Sequence, residues 1–200
     1  MRKIRVMQHI SLDGVIQPGG PDDNSEYANG GWMVAYRTAE GAAAWAEAMG
    51  QGYDLLLGRR TYDLWAAFWP KIKEGLFADR LNAATKYVAT HRRKGLEWGL
   101  VGDLGADVMD GIRRLKLQDG PDLVVCGSAS LTRVLLEQEL ADELALAVYP
   151  LLLGRGKRCF PDSVDSRKFS LVGSKATPTG VLLNAYRHVG SARAAPAGCD

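Results

Sequence analysis

Residues 53–65 read Tyr-Asp-Leu-Leu-Leu-Gly-Arg-Arg-Thr-Tyr-Asp-Leu-Trp, a short apolar strand that runs directly into Gly58, two arginines and a threonine. Gly58 permits a tight turn, and the free N–H groups at the start of the helix that follows are natural ligands for an anion. Thr61 adds a hydroxyl, and Arg59 or Arg60 can form a forked contact with a phosphate dianion. The stretch therefore indicates a phosphate-binding turn, or else an ordinary turn with Thr61 as N-cap and surface arginines.

The composition favours one main core and a small-molecule partner. A chain of 200 residues, 46% hydrophobic and 24% charged, suits a single domain. We expect residues 1–190 to form it and residues 191–200 to be a flexible tail. A net charge of +2 creates no broad basic field, and the sequence holds no zinc-finger or RNA-binding signature. Nucleic acid is therefore not an expected partner.

Cysteine usage and hydropathy predict a reduced protein without a metal. Cys126, Cys159 and Cys199 form no CxxC pair and no cysteine–histidine cluster suited to zinc. The apolar stretch behind the basic N-terminus is interrupted by polar residues, unlike an export signal. The longest apolar run, residues 144–153, is shorter than a membrane span and contains Pro150. These features predict a cytoplasmic protein that does not enter a membrane.

Strands alternate with helices along most of the chain. We expect strands at residues 4–12, 53–57, 86–90, 123–126, 143–148, 168–172 and 181–187, and helices around residues 42–49, 61–68, 76–81, 107–117 and 131–135. Because strands follow one another only in the C-terminal third, the pattern predicts an α/β fold. Its central sheet is largely parallel and flanked by helices, with an antiparallel C-terminal strand pair. The polar loop of residues 17–31 is long enough to be functional and is a candidate lid.

Three expected strand ends carry groups suited to phosphate. They are Gly58-Arg59-Arg60-Thr61, Thr90-His91-Arg92-Arg93 and Gly127-Ser128-Ala129-Ser130. Ligands of open parallel sheets bind at the carboxyl ends of strands, and small residues before a helix let backbone N–H groups approach a pyrophosphate. Arginine-bearing loops suit a further phosphate on the ribose, so the three together predict NADP(H). Taken singly, the same residues are turn glycines, an N-cap at Ser130 and a solvated run of charge.

The order of these motifs resembles the dihydrofolate reductase superfamily. No GxGxxG follows the first strand, which disfavours a Rossmann dehydrogenase. The resemblance is strongest to the branch similar to the C-terminal reductase domain of bifunctional riboflavin-biosynthesis proteins, and it covers residues 4–189. It is carried by Ser11-Leu12-Asp13-Gly14, Leu57-Gly58-Arg59-Arg60-Thr61-Tyr62, Thr90-His91-Arg92, Val125-Cys126-Gly127-Ser128 and Leu153-Gly154-Arg155-Gly156. It implies a dihydrofolate-reductase-like fold and NADPH-dependent hydride transfer to a small, heterocyclic, pyrimidine- or pterin-like substrate.

The resemblance also implies a role for each candidate residue. The backbones of His9 and Ile16 would hold the nicotinamide carboxamide, and Asp13 would face the substrate, although an Asp-Gly turn explains Asp13 equally well. The phosphate-binding residues implied are Gly58, Arg59, Arg60, Thr61, Thr90, His91, Arg92, Gly127, Ser128, Ala129 and Ser130. Among them, Arg59 and the turn of residues 90–92 would meet the 2′-phosphate. Proteins of this branch commonly pair, and the apolar C-terminal strands with residues 149–153 offer a surface for a homodimer.

Two departures from the family pattern affect the substrate side. Dihydrofolate reductases carry a carboxylate on their first helix, but residues 33–37, which follow Trp32, contain none, so we expect poor folate reduction. The paired glycine of the family is replaced by Gly127-Ser128. Trp32, Tyr36 and Trp65 could stack on a flat ring or serve the core. The catalytic group remains unassigned, because a strand histidine such as His9 is more often packed than catalytic. A non-catalytic NADP-binding module is therefore the alternative.

Overall fold

An eight-stranded sheet with helices on both faces forms the centre of the protein. The structure, a computed structural model, describes residues 1–17, 29–160 and 166–191. The strands are β1 (Ile4–Ser11), β2 (Tyr53–Gly58), β3 (Lys86–Ala89), β4 (Val101–Gly102), β5 (Asp122–Cys126), β6 (Glu143–Tyr149), β7 (Arg167–Ala176) and β8 (Leu182–Ser191). The helices are α1 (Ala39–Met49), α2 (Arg59–Phe68), α3 (Leu76–Ala83), α4 (Val108–Leu117) and α5 (Ala129–Glu137), with 3₁₀ turns at Val34–Tyr36 and Trp69–Lys71.

The sheet has the predicted mixture of strand directions. Its order is β4-β3-β2-β5-β1-β6-β8-β7. Strands β1 to β6 pair in parallel, and β8 runs antiparallel to both β6 and β7. The predicted α/β class with its antiparallel C-terminal pair is therefore confirmed. Strand β4 was not predicted, because two residues are too few to show a period.

Two parts of the sequence predictions fall on residues that the structure leaves out. Most of the candidate lid, residues 18–28, lies outside the described residues, as do residues 192–200 of the predicted tail. Strand β8 reaches Ser191, one residue into that tail. No helix within the described ranges is both long enough and apolar enough to cross a membrane.

Alternation along β1 divides the core into two layers. Ile4 and Val6 pack on the face covered by α4 and α5, with apolar residues such as Ile112. Met7 faces the opposite layer, which contains Met49 of α1 and also receives side chains from α2 and α3. The central strands β1, β2 and β5 are covered on both faces, which explains their nearly continuous apolar sequences.

The connections create a crevice between β2 and β5. The chain leaves β2 for α2 on one face of the sheet, whereas it leaves the neighbouring β5 for α5 on the other face. Parallel strands whose chains diverge in this way leave a gap outside their carboxyl ends. Gly58 and Gly127 lie at the two lips of this gap.

Helix α4 approaches the backbone of Leu104 so closely that only glycine fits at position 111. A Cβ on Gly111 would lie 1.8 Å from the Leu104 carbonyl oxygen. Gly111→Ala should therefore lower the free energy of unfolding by about 1–3 kcal/mol. The steric clash outweighs the higher helix propensity of alanine, which would stabilise an exposed helix. Urea denaturation measures the change. Gly52→Ala is the control, because a Cβ at Gly52 meets no atom within 4 Å. Equal stability of the Gly111→Ala and wild-type proteins would contradict this packing.

Candidate functional site

A cavity of about 810 Å³ opens at the crevice between β2 and β5. Its volume is in the range of small-molecule sites. The predicted site residues that line it are His9, Ile16, Gly58, Arg59, Arg60, Thr61, Gly127, Ser128, Ala129 and Ser130. The fold therefore brings two of the three predicted strand ends, and the end of β1, to one place.

Hydroxyl groups join the two lips of the crevice. The Ser128 hydroxyl accepts a hydrogen bond from the Gly58 N–H at 2.9 Å and lies 2.9 Å from the Thr61 hydroxyl, to which it donates. The Ser128 N–H also donates to the Thr61 hydroxyl at 3.2 Å. These bonds hold the starts of α2 and α5 side by side. The first N–H groups of each helix have no carbonyl partner one turn earlier, so both helix starts are suited to an anion.

The helix starts differ in detail from the sequence prediction. Helix α2 begins at Arg59 with Gly58 as its N-cap, so Thr61 lies within the first turn and is not the N-cap. Helix α5 has Ser128 as its N-cap, and Ser130 lies inside the helix. The reason is tertiary: the hydroxyls of Thr61 and of Ser128, the N-cap residue of α5, bond across the crevice and cap neither helix.

Ser128 adopts a backbone conformation that usually favours glycine. Its φ is +50°, and that of Gly127 is +60°. A left-handed residue with a Cβ costs roughly 1–2 kcal/mol. The hydrogen bonds of the Ser128 side chain offset this cost, which explains how a serine can stand where the resembling family has a second glycine.

The Arg59 guanidinium is used within the protein. Its Nε donates to Asp63 at 2.8 Å, and its Nη1 donates to the carbonyl oxygens of Arg92 at 2.8 Å and Lys94 at 2.7 Å. Arg59 therefore fixes the turn after β3 to the start of α2. Sequence analysis had indicated either a direct contact with phosphate or a surface arginine, but not this role in holding the turn.

The third predicted strand end lies in a separate, smaller cavity. This cavity, of about 480 Å³, is lined by Thr90, His91, Arg93, Asp103, Gly105 and Ala106. Arg92 lines neither cavity and is exposed. Arg93, the last residue of that predicted strand end, lines the cavity and forms an ion pair with Asp103 at 3.1 Å. Because Arg59 borders the large cavity and holds this turn, it connects the two.

Asp13 does not line the large cavity and has a structural role instead. Its carboxylate accepts hydrogen bonds from the Ser11 hydroxyl at 2.6 Å, the Leu153 N–H at 3.1 Å and the Gly154 N–H at 2.8 Å. The bond from Ser11, followed by that from Leu153, lowers the pKa of Asp13 to about 2. The ionised carboxylate anchors the loop after β6, so the Asp-Gly turn interpretation agrees with the geometry better than a substrate-facing role.

Aromatic side chains of α1, α2, the 3₁₀ turn after α2 and α3 form one wall of the cavity. Trp45, Trp65, Trp69 and Phe77 line it, together with Met33. Of the stacking candidates named from sequence, only Trp65 lines the cavity; the rings of Trp32 and Tyr36 pack edge-on against Tyr149. Sequence analysis missed the role of Trp45, because helical spacing shows that a face is apolar but not whether it meets core or cavity.

Two ionisable residues that line the cavity, His9 and Cys126, are uncharged near neutral pH. Burial, together with the nearby positive charge of Arg37, lowers the pKa of His9 to about 4. Burial raises the pKa of the Cys126 thiol to about 12, so this cysteine is not an activated nucleophile. Within the described ranges, no cluster of three His, Cys, Asp or Glu residues is placed to hold a metal ion.

Sequence comparisons agree with this architecture. The family model of the RibD C-terminal domain matches residues 2–183. Two uncharacterised Bacillus subtilis proteins are similar: YyaP is 26% identical over 136 residues, covering 66% of this chain and 72% of YyaP. YwjB is 25% identical over 191 residues, covering 93% of this chain and 98% of YwjB.

Solved structures share the fold at low sequence identity. A putative riboflavin biosynthesis protein from Shewanella sp. PV-4 aligns with a TM-score of 0.63 at 18% identity, covering 94% of this chain and 99% of that one. A pyrimidine reductase-like protein from Corynebacterium diphtheriae gives 0.58 at 13%, covering 94% and 92%. Dihydrofolate reductase from Enterococcus faecalis, solved with NADP(H) and RAB-propyl, gives 0.57 at 15%, covering 96% and 97%. These likenesses show a dihydrofolate-reductase-like fold.

The hydrogen bonds of the Ser128 side chain should contribute measurably to the free energy of unfolding. Ser128→Ala keeps the strained backbone but leaves the Gly58 N–H without its partner, so it should lower the free energy of unfolding by about 1–3 kcal/mol. Ser128→Gly loses the same bonds but relieves the strain, and should be about 1 kcal/mol more stable than Ser128→Ala. Urea denaturation gives the order, with Ser166→Ala, at an exposed position before β7, as control. An alanine variant as stable as the glycine variant would contradict the strain argument.

Proposed function

The chain belongs to the RibD C-terminal domain family, and from that membership we propose that it is an NADPH-dependent reductase that transfers a hydride to a small, flat heterocyclic substrate. The observation that carries the proposal is the large cavity at the crevice between β2 and β5, onto which two helix N-termini open. Two helix starts side by side favour a pyrophosphate, because each contributes free N–H groups and a positive dipole end. Gly58, Thr61, Gly127 and Ser128 would line this part of the cofactor site.

An unpaired stretch of β1 supports placing the nicotinamide away from the two helix N-termini, elsewhere in the cavity. Pairing between β1 and β5 stops at Met7, whereas pairing between β1 and β6 continues to Ser11. The β5-facing edge of β1 is therefore unpaired around His9, and a carboxamide can hydrogen-bond to such an edge. The N–H of Ile16 already donates to the Lys157 carbonyl oxygen. The carbonyl oxygen of Ile16 is therefore the backbone group that would contact the ligand.

The protein's contribution to the reaction is position and exclusion of water. When bound, the reduced nicotinamide supplies the hydride. The unpaired β1 edge would orient its ring, and the aromatic wall of Trp45, Trp65, Trp69 and Phe77 would hold a flat acceptor against it in an apolar environment. Positioning of this kind would lower the barrier by presenting the hydride and its acceptor in the geometry that transfer requires.

One observation favours the alternative of a non-catalytic NADP-binding module. Among the described residues, three candidate groups are unsuited to act as the acid: His9 is neutral, Cys126 is a buried thiol, and Asp13 is held by backbone N–H groups. Oxidation of NADPH in the presence of a panel of pteridines, pyrimidines, quinones and aldehydes separates the two. Turnover of any of them supports the reductase, and tight binding of NADPH without turnover supports the module.

Preference for NADPH over NADH should depend on Arg59. The two cofactors differ by the 2′-phosphate, and Arg59 both faces the cavity and holds the turn that carries Arg92 and Arg93. Charged hydrogen bonds to that phosphate are worth about 1.5–3 kcal/mol. Arg59→Ala should therefore weaken NADPH binding roughly 10- to 100-fold and leave NADH binding within a fewfold of wild type, as measured by calorimetric titration.

A matched surface variant controls for loss of charge. Arg113→Ala removes an exposed arginine of α4 that bonds to Gln138, away from both cavities, and should change neither affinity. Equal losses of NADPH and NADH affinity in Arg59→Ala would show that Arg59 supports the fold or the pyrophosphate. The 2′-phosphate contact would then move to Arg60 or Arg92.

We also propose a homodimer formed through the β7–β8 hairpin. β7 is an edge strand, and large apolar side chains of the hairpin are exposed: Leu171, Val172, Leu182 and Val189. Tyr149, which the sequence analysis included in this surface, is buried and does not contribute. An edge strand with exposed apolar residues is suited to pairing with a second copy.

Light scattering tests the dimer directly. We expect twice the chain mass for wild type and a monomer for Leu171→Asp, because a charge in an apolar interface is costly. Leu117→Asp is the control, since Leu117 is exposed on α4 outside the hairpin. A monomeric wild type at working concentration would refute the proposal.

The cytoplasmic location remains a prediction.

A further inference from the structure

The imidazole of His9 stands at the substrate end of the cavity in a fixed orientation. One face of the ring stacks on Trp45, with centroids 4.1 Å apart and planes 28° from parallel. The ring nitrogen Nδ1 lies 2.9 Å from the hydroxyl of Tyr149, the last residue of β6. His9 and Trp45 both line the cavity, whereas Tyr149 is buried behind them. Ring position and ring rotation are therefore both determined by contacts within the protein.

The surroundings of His9 leave its second nitrogen for a ligand. A neutral imidazole has one donor and one acceptor nitrogen, and the partner of one nitrogen decides the role of the other. If the Tyr149 hydroxyl donates to Nδ1, then Nε2 carries the proton. Among the described residues, the titratable and charged groups that act on His9 are Tyr149 from β6 and Arg37 before α1. The positive charge of Arg37 opposes a second proton on the ring, which favours the neutral form.

We propose that His9 is the specificity-determining contact of the substrate half of the cavity. The Tyr149 hydroxyl places the ring proton on Nε2, and this N–H donates a hydrogen bond to a carbonyl oxygen of the substrate. The substrate is a flat, uncharged ring that stacks within the aromatic wall. This inference rests on the proposed function, because it assigns the acceptor that the reductase would recognise. No proton is transferred by His9. A hydrogen bond to the carbonyl oxygen withdraws electron density from the ring and so favours hydride addition to it.

Chromone, a flat bicyclic ketone, and naphthalene, of similar shape without the carbonyl, are the probes. The chain has three histidines, so ¹⁵N-labelled imidazole resonances can be assigned by substitution. We expect His9 to be neutral and protonated on Nε2 at pH 7. Chromone should shift the His9 Nε2–H resonance, and naphthalene should leave it in place. A merely structural histidine would respond to neither probe or equally to both.

Three variants separate the donor from the packing. Tyr149→Phe keeps the imidazole but frees its tautomer, and should weaken chromone binding a fewfold. His9→Phe removes the donor but leaves the buried Tyr149 hydroxyl without its partner, so it can fail to fold. The double variant His9→Phe with Tyr149→Phe removes both polar groups. It should weaken chromone about fivefold and change naphthalene binding by less than twofold, as followed by tryptophan fluorescence.

The outcomes distinguish this proposal from the proposed function. Chromone that fails to bind wild type, binds without moving the His9 resonance, or binds the double variant as tightly as wild type overturns the role of His9. Calorimetric titration with NADPH is run on the same samples. If NADPH does not bind while chromone gives the expected His9 shift and fivefold loss, the reductase proposal fails and the His9 assignment stands.

Discussion

The hydrogen bonds between the Ser128 hydroxyl, the Thr61 hydroxyl and the Gly58 N–H are the interaction on which the site depends. They hold the N-termini of α2 and α5 together, although both are positive dipole ends and repel each other. Without a ligand, that repulsion is balanced by these bonds and by the packing of the two helices on opposite faces of the sheet. The crevice therefore keeps a positive potential that an anion can neutralise, which is the electrostatic basis for expecting a pyrophosphate there.

The two halves of the cavity differ because the chain leaves β5 earlier than it leaves β1. Past Met7, β1 has a neighbour only on its β6 side, and the cavity extends along the edge that β5 no longer covers. Helix starts and arginines line one part of the cavity and suit phosphates. Tryptophans and a neutral histidine also line it and suit a flat, uncharged ring. The lining thus combines groups suited to the charged and to the aromatic parts of a ligand.

Charged residues near the site mostly complete the protein's own structure. Asp13 neutralises the N–H groups of the loop after β6, and Arg59 satisfies carbonyl groups in the turn after β3. For both residues, the sequence had left a direct ligand contact and a structural role as alternatives. The structural role has a physical origin: a short loop beside a cavity has unpaired backbone groups of its own, and a nearby charge satisfies them.

The sequence by itself determined the fold class, the strands other than β4, the family and the two turns that border the cavity. These features depend on local patterns: hydrophobic period, glycines before helices, and the order of motifs along the chain. Only the tertiary structure decided which hydroxyls bond across the crevice, that Trp45 faces a cavity, and that Tyr149 meets His9, 140 positions earlier in the chain. Such pairs depend on strand register and on the packing of helices against the sheet. Neither leaves a signal in the few residues around each partner, so no local pattern could have shown them.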